Sequence, residues 1–301
     1  MKKIAYCIMA YDDINHLQQL INALGKNCEM FIHIDGYVDD SEFVNTIKNS
    51  NVHFLFPRIK ISWAGISMVD TMIALLRQAI KFDADFSHYI FLSGSCYPIK
   101  SESYIKSIFN SNIDKSFIKF IDSKSHPTYV KQVKFKYIMD NPFRKRNRVT
   151  HNILRVVRRI SLHTKIRNKW RDDIVAYKGS QWVALSDECG RYVIDYHDNN
   201  PWFRQMFKHT YAPDEYYIHT ILGNSKLSKK CTGLQDFKYY GLDYLSNIHI
   251  VHISLAKWYS IRDWEEIKNS EKIFVRKVRS ADGSELVDKI NLEFSFNGEN
   301  K

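Results

Sequence analysis

Long apolar runs are missing from this sequence. Nowhere in its 301 residues does an uncharged apolar stretch approach the about eighteen residues that a bilayer-spanning helix needs. The opening "MKKIAYCIMAYDD" turns acidic early and has no small-residue cleavage site, which argues against a secretory signal. The expected location is therefore cytoplasmic. Cysteine is scarce: Cys7, Cys28, Cys96, Cys189 and Cys231 are odd in number, widely spaced and free of any C-x-x-C pattern. That excludes a disulfide framework or a structural zinc site and leaves reduced thiols. Also absent are G-x-G-x-x-G after the first apolar run and G-x-x-x-x-G-K-[ST] anywhere, so neither a dinucleotide fold nor a P-loop is supported. No internal repeat or low-complexity linker interrupts the chain.

What is present is enough apolar material, 45% of residues, to bury a substantial core as one large domain or two intimately packed halves. The net charge of +11 is unevenly spread. Between Lys131 and Arg171 stand fourteen Lys or Arg and a single acid, Asp140. Ile153, Val156, Val157, Ile160 and Leu162 recur there at roughly helical spacing, the pattern of an amphipathic basic helix. Three readings stay open: a solvated basic face, a platform for anionic lipid or acidic glycan, and a nucleic-acid patch. Composition does not separate them.

Along the first hundred residues strand and helix patterns alternate, which predicts an α/β layer on a mainly parallel sheet. "IAYCIMAY", "EMFIHID", "VHFLF" and "HYIFLSG" read as strands; "NHLQQLINAL", "SEFVNTIKN", "SESYIKSIF" and a long segment from about Ser67 read as helices. From about Asp173 the pattern changes to "GSQWVALS", a helix over "DECGRYVIDYHDN" and an irregular tail. The expected organisation is an α/β half over residues 1–125, a basic, partly helical segment over 126–172, and a second half over 173–301 within the same globular unit. Ligands of open α/β sheets bind beyond the carboxyl ends of the strands. Tyr11, Asp35 and Ser93 fall at such ends, which suggests a nucleotide site, although Asp35 followed by Gly36 equally reads as the start of a turn.

"YAPDEYYIHTIL", Tyr211 to Leu222, places Pro213 and two acids where a helix is expected to begin. Proline at the first position and acids in the first turn are ordinary helix-start chemistry. The alternative is that Glu215 is a working base. Consecutive helical positions point about 100° apart, so Asp214 and Glu215 are not expected to reach one hydroxyl together.

In order, "HIDG", "RIKISWAGIS", "YIFLSGSCYPIKS", "GSQWVALS", "APDEYYIHTIL" and "KIFVRKV" resemble blocks of the Core-2/I-branching enzyme family, over about Ala5 to Val278. The resemblance implies a GT-A-like fold: a mainly parallel, Rossmann-like sheet flanked by helices, residues 1–125 binding the UDP-sugar and residues 173–301 forming an acceptor-side, catalytic half. It also implies inversion at the anomeric centre, UDP-sugar donors and no need for a divalent metal or other cofactor. Carried over position by position, the catalytic base falls on Glu215, a donor contact on Asp35, and the basic residue facing the diphosphate on Lys277 with Arg276 beside it. A second diphosphate arginine of the family has no clean counterpart. Its counted position is Ser254, with His252 and Lys257 as nearby substitutes. Trp63 matches a block on the donor side and Trp182 one near the acceptor groove. Asp214 is read as a first-turn acid or an acceptor contact, and Cys96, where relatives often carry Asp, as a small buried thiol.

Inverting transfer needs a base for the acceptor hydroxyl and charge stabilisation for the departing diphosphate. A helix N-terminus would hold Glu215 ionised. Metal-dependent GT-A enzymes carry D-x-D at a strand end; here Asp83-Ala84-Asp85 precedes a strand and reads as a loop. The expected function is thus transfer of GlcNAc or xylose from a UDP-sugar to a glycan or lipid-linked glycan in surface polysaccharide synthesis, peripheral to the inner face of a membrane if the basic segment docks on anionic lipid. Nucleic acid is not an expected partner. Two other hypotheses are a nucleic-acid-binding protein using residues 131–171 and an inactive glycan-binding homologue.

Overall fold

A computed structural model describes residues 2–141, 143, 148–239, 241 and 243–294, the side chains of Arg148 and His151 excepted. Part of the basic run, Arg144 to Arg146, lies outside the described residues. The first half is built from β1 (Lys3–Ala10), α1 (Ile14–Leu24), β2 (Glu29–Ile34), α2 (Ser41–Thr46), β3 (Val52–Phe54), α3 (Ile66–Lys81) and β4 (Phe86–Ser93). After it come β5 (Cys96–Pro98), α4 (Glu102–Ser111), β6 (Ser116–Asp122), α5 (Pro127–Lys134), α6 (Arg148–His163), β7 (Tyr177–Gly179) and β8 (Ala184–Ser186). The chain continues through α7 (Asp187–Asn199), α8 (Pro201–Phe207), α9 (Tyr217–Gly223), β9 (Cys231–Leu234), β10 (His249–Val251), α10 (Trp264–Lys268), β11 (Phe274–Arg276) and α11 (Ser280–Phe294).

The main sheet runs β3-β2-β1-β4-β8-β6-β7, with β9 paired to β6. Its first four strands are parallel, in the expected α/β pattern, and β8 joins β4 antiparallel. Late strands therefore complete a sheet begun by early ones. Both faces are covered, so β1, β2 and β4 are buried along nearly their whole length and mostly apolar, as parallel strands are. Alternation splits β1 between two cores: Ala5, Cys7 and Met9 face α3, α7, α8 and α9, whereas Ile4, Tyr6, Ile8 and Ala10 face α1 and α4. A smaller sheet, β10-β11-β5, carries the last strand back to the carboxyl end of β4.

Two loops frame the site. The N-terminus of α3 has no cap of its own, since Gly65 precedes it. Asp140 supplies one from afar: its Oδ2 accepts from the Ile66 N–H at 2.8 Å and its Oδ1 from the Ser67 N–H at 3.1 Å. A Cβ on Gly65 would lie 2.5 Å from Asp140 Oδ1, so only glycine admits this approach. The lone acid of the basic stretch is thus a helix cap. Replacing it, Asp140→Ala, is expected to lower unfolding free energy by about 1–2 kcal/mol in urea denaturation.

The second loop differs from expectation. Pro213–Glu215 is a 3₁₀ turn, closed by Glu215 N–H to Ala212 O at 3.1 Å and Tyr216 N–H to Pro213 O at 3.0 Å, and α9 begins only at Tyr217. Glu215 therefore precedes the helix instead of occupying its first turn. Asp83-Ala84-Asp85 is a helix-to-strand loop as read, at the amino ends of β1 and β4, where Asp85 O accepts from the Lys3 N–H at 3.1 Å. Among the described residues no helix is long and apolar enough to cross a membrane.

Candidate active site

The carboxyl ends of β1 and β4, the start of β8 and the end of β11 meet on one edge of the sheet. Arg276 joins them. Register sets it opposite Cys96, and its Nε donates to Ser93 Oγ at 3.1 Å. Its guanidinium carbon lies 4.5 Å from the centre of the Trp182 ring, a cation–π stack. Burial lowers its pKa, and the neighbouring Cys96, Tyr11 and Asp214 oppose that shift. A fixed cation on this edge is thus bounded by Tyr11, Ser93 and Trp182, three residues expected at the site from sequence. Trp182 is only 8% exposed, with one face taken by Arg276. It backs the cation instead of offering a ring to an acceptor.

Lys277 follows, with its ammonium 5.5 Å from the Trp258 ring centre. Burial and Arg276 lower its pKa while Asp12 opposes them, so an acid on the first strand's loop shares its field. Lys257 is otherwise engaged: its ammonium pairs with Asp263 at 2.7 Å and Glu266 at 3.6 Å. Those two carboxylates offset its charge, which makes it a poor stand-in for a diphosphate arginine. His252 and Ser254 bond each other at 2.8 Å in an exposed loop. Cys96 is fully buried, its Sγ accepting from the Ser93 N–H at 3.3 Å, as a small core thiol does. At the β2 end, Asp35 does start a turn, its Oδ1 accepting from Tyr37 N–H at 3.0 Å, and also from Ile61 N–H at 3.1 Å. That second bond ties the strand end to the loop leading into Trp63.

Glu215 sits over the same edge, with its side chain 28% exposed. Its carboxylate pairs with Lys178, a β7 residue only 2% exposed. The ammonium also lies 4.5 Å from the Tyr216 ring centre and 5.3 Å from that of Tyr129. A buried lysine held by two rings and one carboxylate fixes that carboxylate in place, because separating the pair would leave a charge without compensation. The expected helix-end support for Glu215 is therefore replaced by a specific counter-charge. Nothing local in "AYKGSQW" marks Lys178. Its partner stands 37 positions away. The turn itself is fixed by Ala212 N–H to Ala64 O at 3.1 Å, Tyr211 N–H to Gln132 O at 3.1 Å and the Tyr216 hydroxyl to Gln132 Oε1 at 2.6 Å.

Asp214 points inward. It is 5% exposed, and its Oδ1 has no hydrogen-bond partner among the described residues. Burial and the charge of Glu215 raise its pKa; Lys178 and Arg276 work against the rise. It thus lies in the field of both cations and is not presented to a bulky acceptor.

Two groups of aromatic side chains lie near Glu215. Trp63, 69% exposed, packs edge-to-face on Tyr211 at 6.0 Å, and Tyr211 on Tyr137 at 5.6 Å. Glu215 contributes to raising the pKa of Tyr211 after burial does, which places this wall beside the base. Trp63 therefore stands between the Asp35 turn, to which Ile61 ties its loop, and the Tyr211 ring beside Glu215. In the second group, Tyr129 also feels Glu215 and packs on Phe237 at 6.1 Å, which in turn packs on Tyr239 at 4.9 Å. Sequence reading missed this second wall, whose signal is the aromatic density of "DFKYYGLDY".

Fold and site together define a class: an α/β protein with an anchored carboxylate and partly buried cations at the carboxyl edge of its sheet, where ligands of open α/β sheets bind. The chain belongs to the Core-2/I-Branching enzyme family, whose profile matches residues 4–239. Arg276 and Lys277 lie beyond that match. Among curated proteins it is similar to a beta-glucuronosyltransferase, GlcAT14A, of Arabidopsis thaliana, 26% identical over 266 residues and covering 88% of this chain and 55% of that one. It is also similar to Xylosyltransferase oxt of Drosophila melanogaster, 23% identical over 74% of this chain and 23% of that one. Xylosyltransferase 2 of Homo sapiens is 25% identical over 74% of this chain and 25% of that one. The chain thus spans about half the length of the first relative and about a quarter of the others.

Lys178 supplies a direct check on this geometry. Lys178→Met keeps the side chain's bulk against Tyr216 and removes the counter-charge, so Glu215 loses its anchor. Any activity requiring Glu215 is expected to fall by about a hundredfold, the range seen for a mispositioned acid–base group, while a melting curve reports whether the fold survives.

Proposed function

We propose that this chain is an inverting glycosyltransferase that moves a sugar from a UDP-sugar to a hydroxyl of a glycan or lipid-linked glycan in polysaccharide synthesis, with no divalent metal required. GlcNAc and xylose are the donor sugars argued from sequence; the names of the relatives support xylose and add glucuronic acid. The observation that carries the reading is the pairing of one partly exposed carboxylate, Glu215, held by buried Lys178, with the cation Arg276 on the same sheet edge.

The chemistry follows from those roles. The acceptor hydroxyl oxygen forms a bond to the anomeric carbon as the bond from that carbon to the diphosphate oxygen breaks. Its proton passes to Glu215, and the electron pair leaves with UDP. Arg276 and Lys277 counter the charge that grows on the leaving diphosphate, an electrostatic role strengthened by their partial burial. Because hydroxyl acidity rises as the new bond forms, a carboxylate is a sufficient base. Trp63, Tyr211 and Tyr137 in one group and Tyr129 and Phe237 in the other suit the apolar faces of acceptor sugars. Tyr11, Ser93 and Asp35 are assigned to the donor, Ser93 through its bond to Arg276. We assign Asp214 to positioning between the two cations.

The test is a UDP-release assay with UDP-GlcNAc, UDP-xylose and UDP-glucuronic acid against oligosaccharide acceptors, with and without EDTA. Turnover with one donor, unchanged by EDTA, is expected. Strict dependence on Mn²⁺ would overturn the metal-free mechanism, and silence with every donor in a protein that still binds oligosaccharide would favour the glycan-binding alternative.

A further inference from the structure

The outward face of α6 carries two unlike rows. Val149, Ile153, Val156 and Ile160 are 66%, 45%, 56% and 58% exposed. At about 100° per residue these four fall within an arc of about 60°, one continuous apolar stripe. Arg155 and Arg159 are exposed beside it. The opposite face holds the helix to the protein: Leu154 and Ser161 are buried, Ser161 Oγ accepts from the Ile138 N–H at 3.2 Å, and Arg158 Nε donates to Met139 O at 3.0 Å. No acid occurs between Asp140 and Asp172. Four branched apolar side chains aligned in water are unexplained by the fold beneath them.

Charge and shape select the occupant. A nucleic acid would meet the arginines but has no use for an apolar stripe along their flank. A second copy of the chain would bring like charge against like charge. An interface with apolar chains below and anionic headgroups above satisfies both rows at once. We propose that α6 lies in the plane of an anionic membrane surface, its stripe among the acyl chains and its arginines among the lipid phosphates.

The helix is coupled to the loop that carries Trp63. Ile138 and Met139, which bond α6, lead into Asp140 at the α3 N-terminus and Asn141, whose N–H donates to Ser62 Oγ at 2.9 Å. Ser62 adjoins Trp63. A membrane under α6 therefore has a fixed relation to the aromatic wall beside Glu215. The inference does not rest on the transferase reading, because membrane binding is measured without turnover.

The experiment is co-sedimentation of the full chain with vesicles of phosphatidylcholine alone and of phosphatidylcholine with phosphatidylglycerol. Binding to the anionic vesicles at least about tenfold stronger than to the neutral ones is expected. Arg155→Gln with Arg159→Gln is expected to weaken it about thirtyfold, from two lost headgroup attractions. Val156→Asp with Ile160→Asp is expected to weaken it at least about tenfold by removing stripe area. These side chains are exposed, so unchanged melting curves accompany both variants. Equal binding to the two vesicle types overturns the proposal, as does a stripe variant that binds like the parent. Dimerisation abolished by the stripe variant without vesicle uptake, or nucleic-acid binding that survives it without vesicle uptake, also overturns it.

Discussion

Glu215→Gln is expected to lower turnover by about a thousandfold, within the range for removing a general base, while UDP still binds within about twofold of the parent. The amide keeps the shape of the side chain and accepts a hydrogen bond from Lys178 through its carbonyl oxygen, but it leaves the buried Lys178 charge without its counter-ion, so a lowered melting temperature is expected alongside the loss of turnover. What it loses is the capacity to take a proton from the acceptor hydroxyl. The split matters more than the size of the loss. Retained turnover would remove Glu215 as the base; loss of UDP binding together with turnover would assign it to the donor side.

Arg276→Met is expected to lower kcat/KM by about a hundredfold to a thousandfold and to weaken UDP binding, the cost of removing a preorganised charge from a leaving-group site. Methionine retains packing on Trp182 but neither donates to Ser93 Oγ nor carries charge. Arg276→Lys restores the charge without the planar fork and is expected to recover only part of the loss. Unchanged UDP affinity in both variants, with melting curves like the parent's, would place the diphosphate elsewhere. Lys277 and Arg279, which share the Trp258 ring and the field of Asp12, would then be the cations to test.

Elements with strong periodicity were legible in the sequence. The apolar-rich runs of β1, β2 and β4 and the amphipathic α1, α3 and α7 lie where the pattern put them, because burial on one or both faces dictates composition directly. The strand-end residues Tyr11 and Ser93 converge on Arg276 because a parallel sheet delivers its carboxyl ends to one edge. What escaped was decided by partners remote in the chain. Local sequence marks a helix start at Pro213, but bonds of Ala212 and Tyr211 to Ala64 and Gln132 set a 3₁₀ turn there. Lys178 gives no local sign of burial, since its compensation comes from Glu215 and from two rings on other elements. Trp63 belongs to a block on the donor side by position, and its packing on the Tyr211 ring depends on a residue far along the chain. Asp140 was the detectable exception: a single acid among fourteen basic residues marks a specific electrostatic task.

A crystal structure with an intact UDP-sugar bound is the decisive measurement. If Glu215 is the base, the diphosphate lies against Arg276 and Lys277, and the Glu215 carboxylate faces the anomeric carbon from the side opposite the diphosphate, with the Trp63 and Tyr129 walls open beside it. A diphosphate bound away from both cations, or an anomeric carbon presented on the far side of the sheet from Glu215, would contradict it.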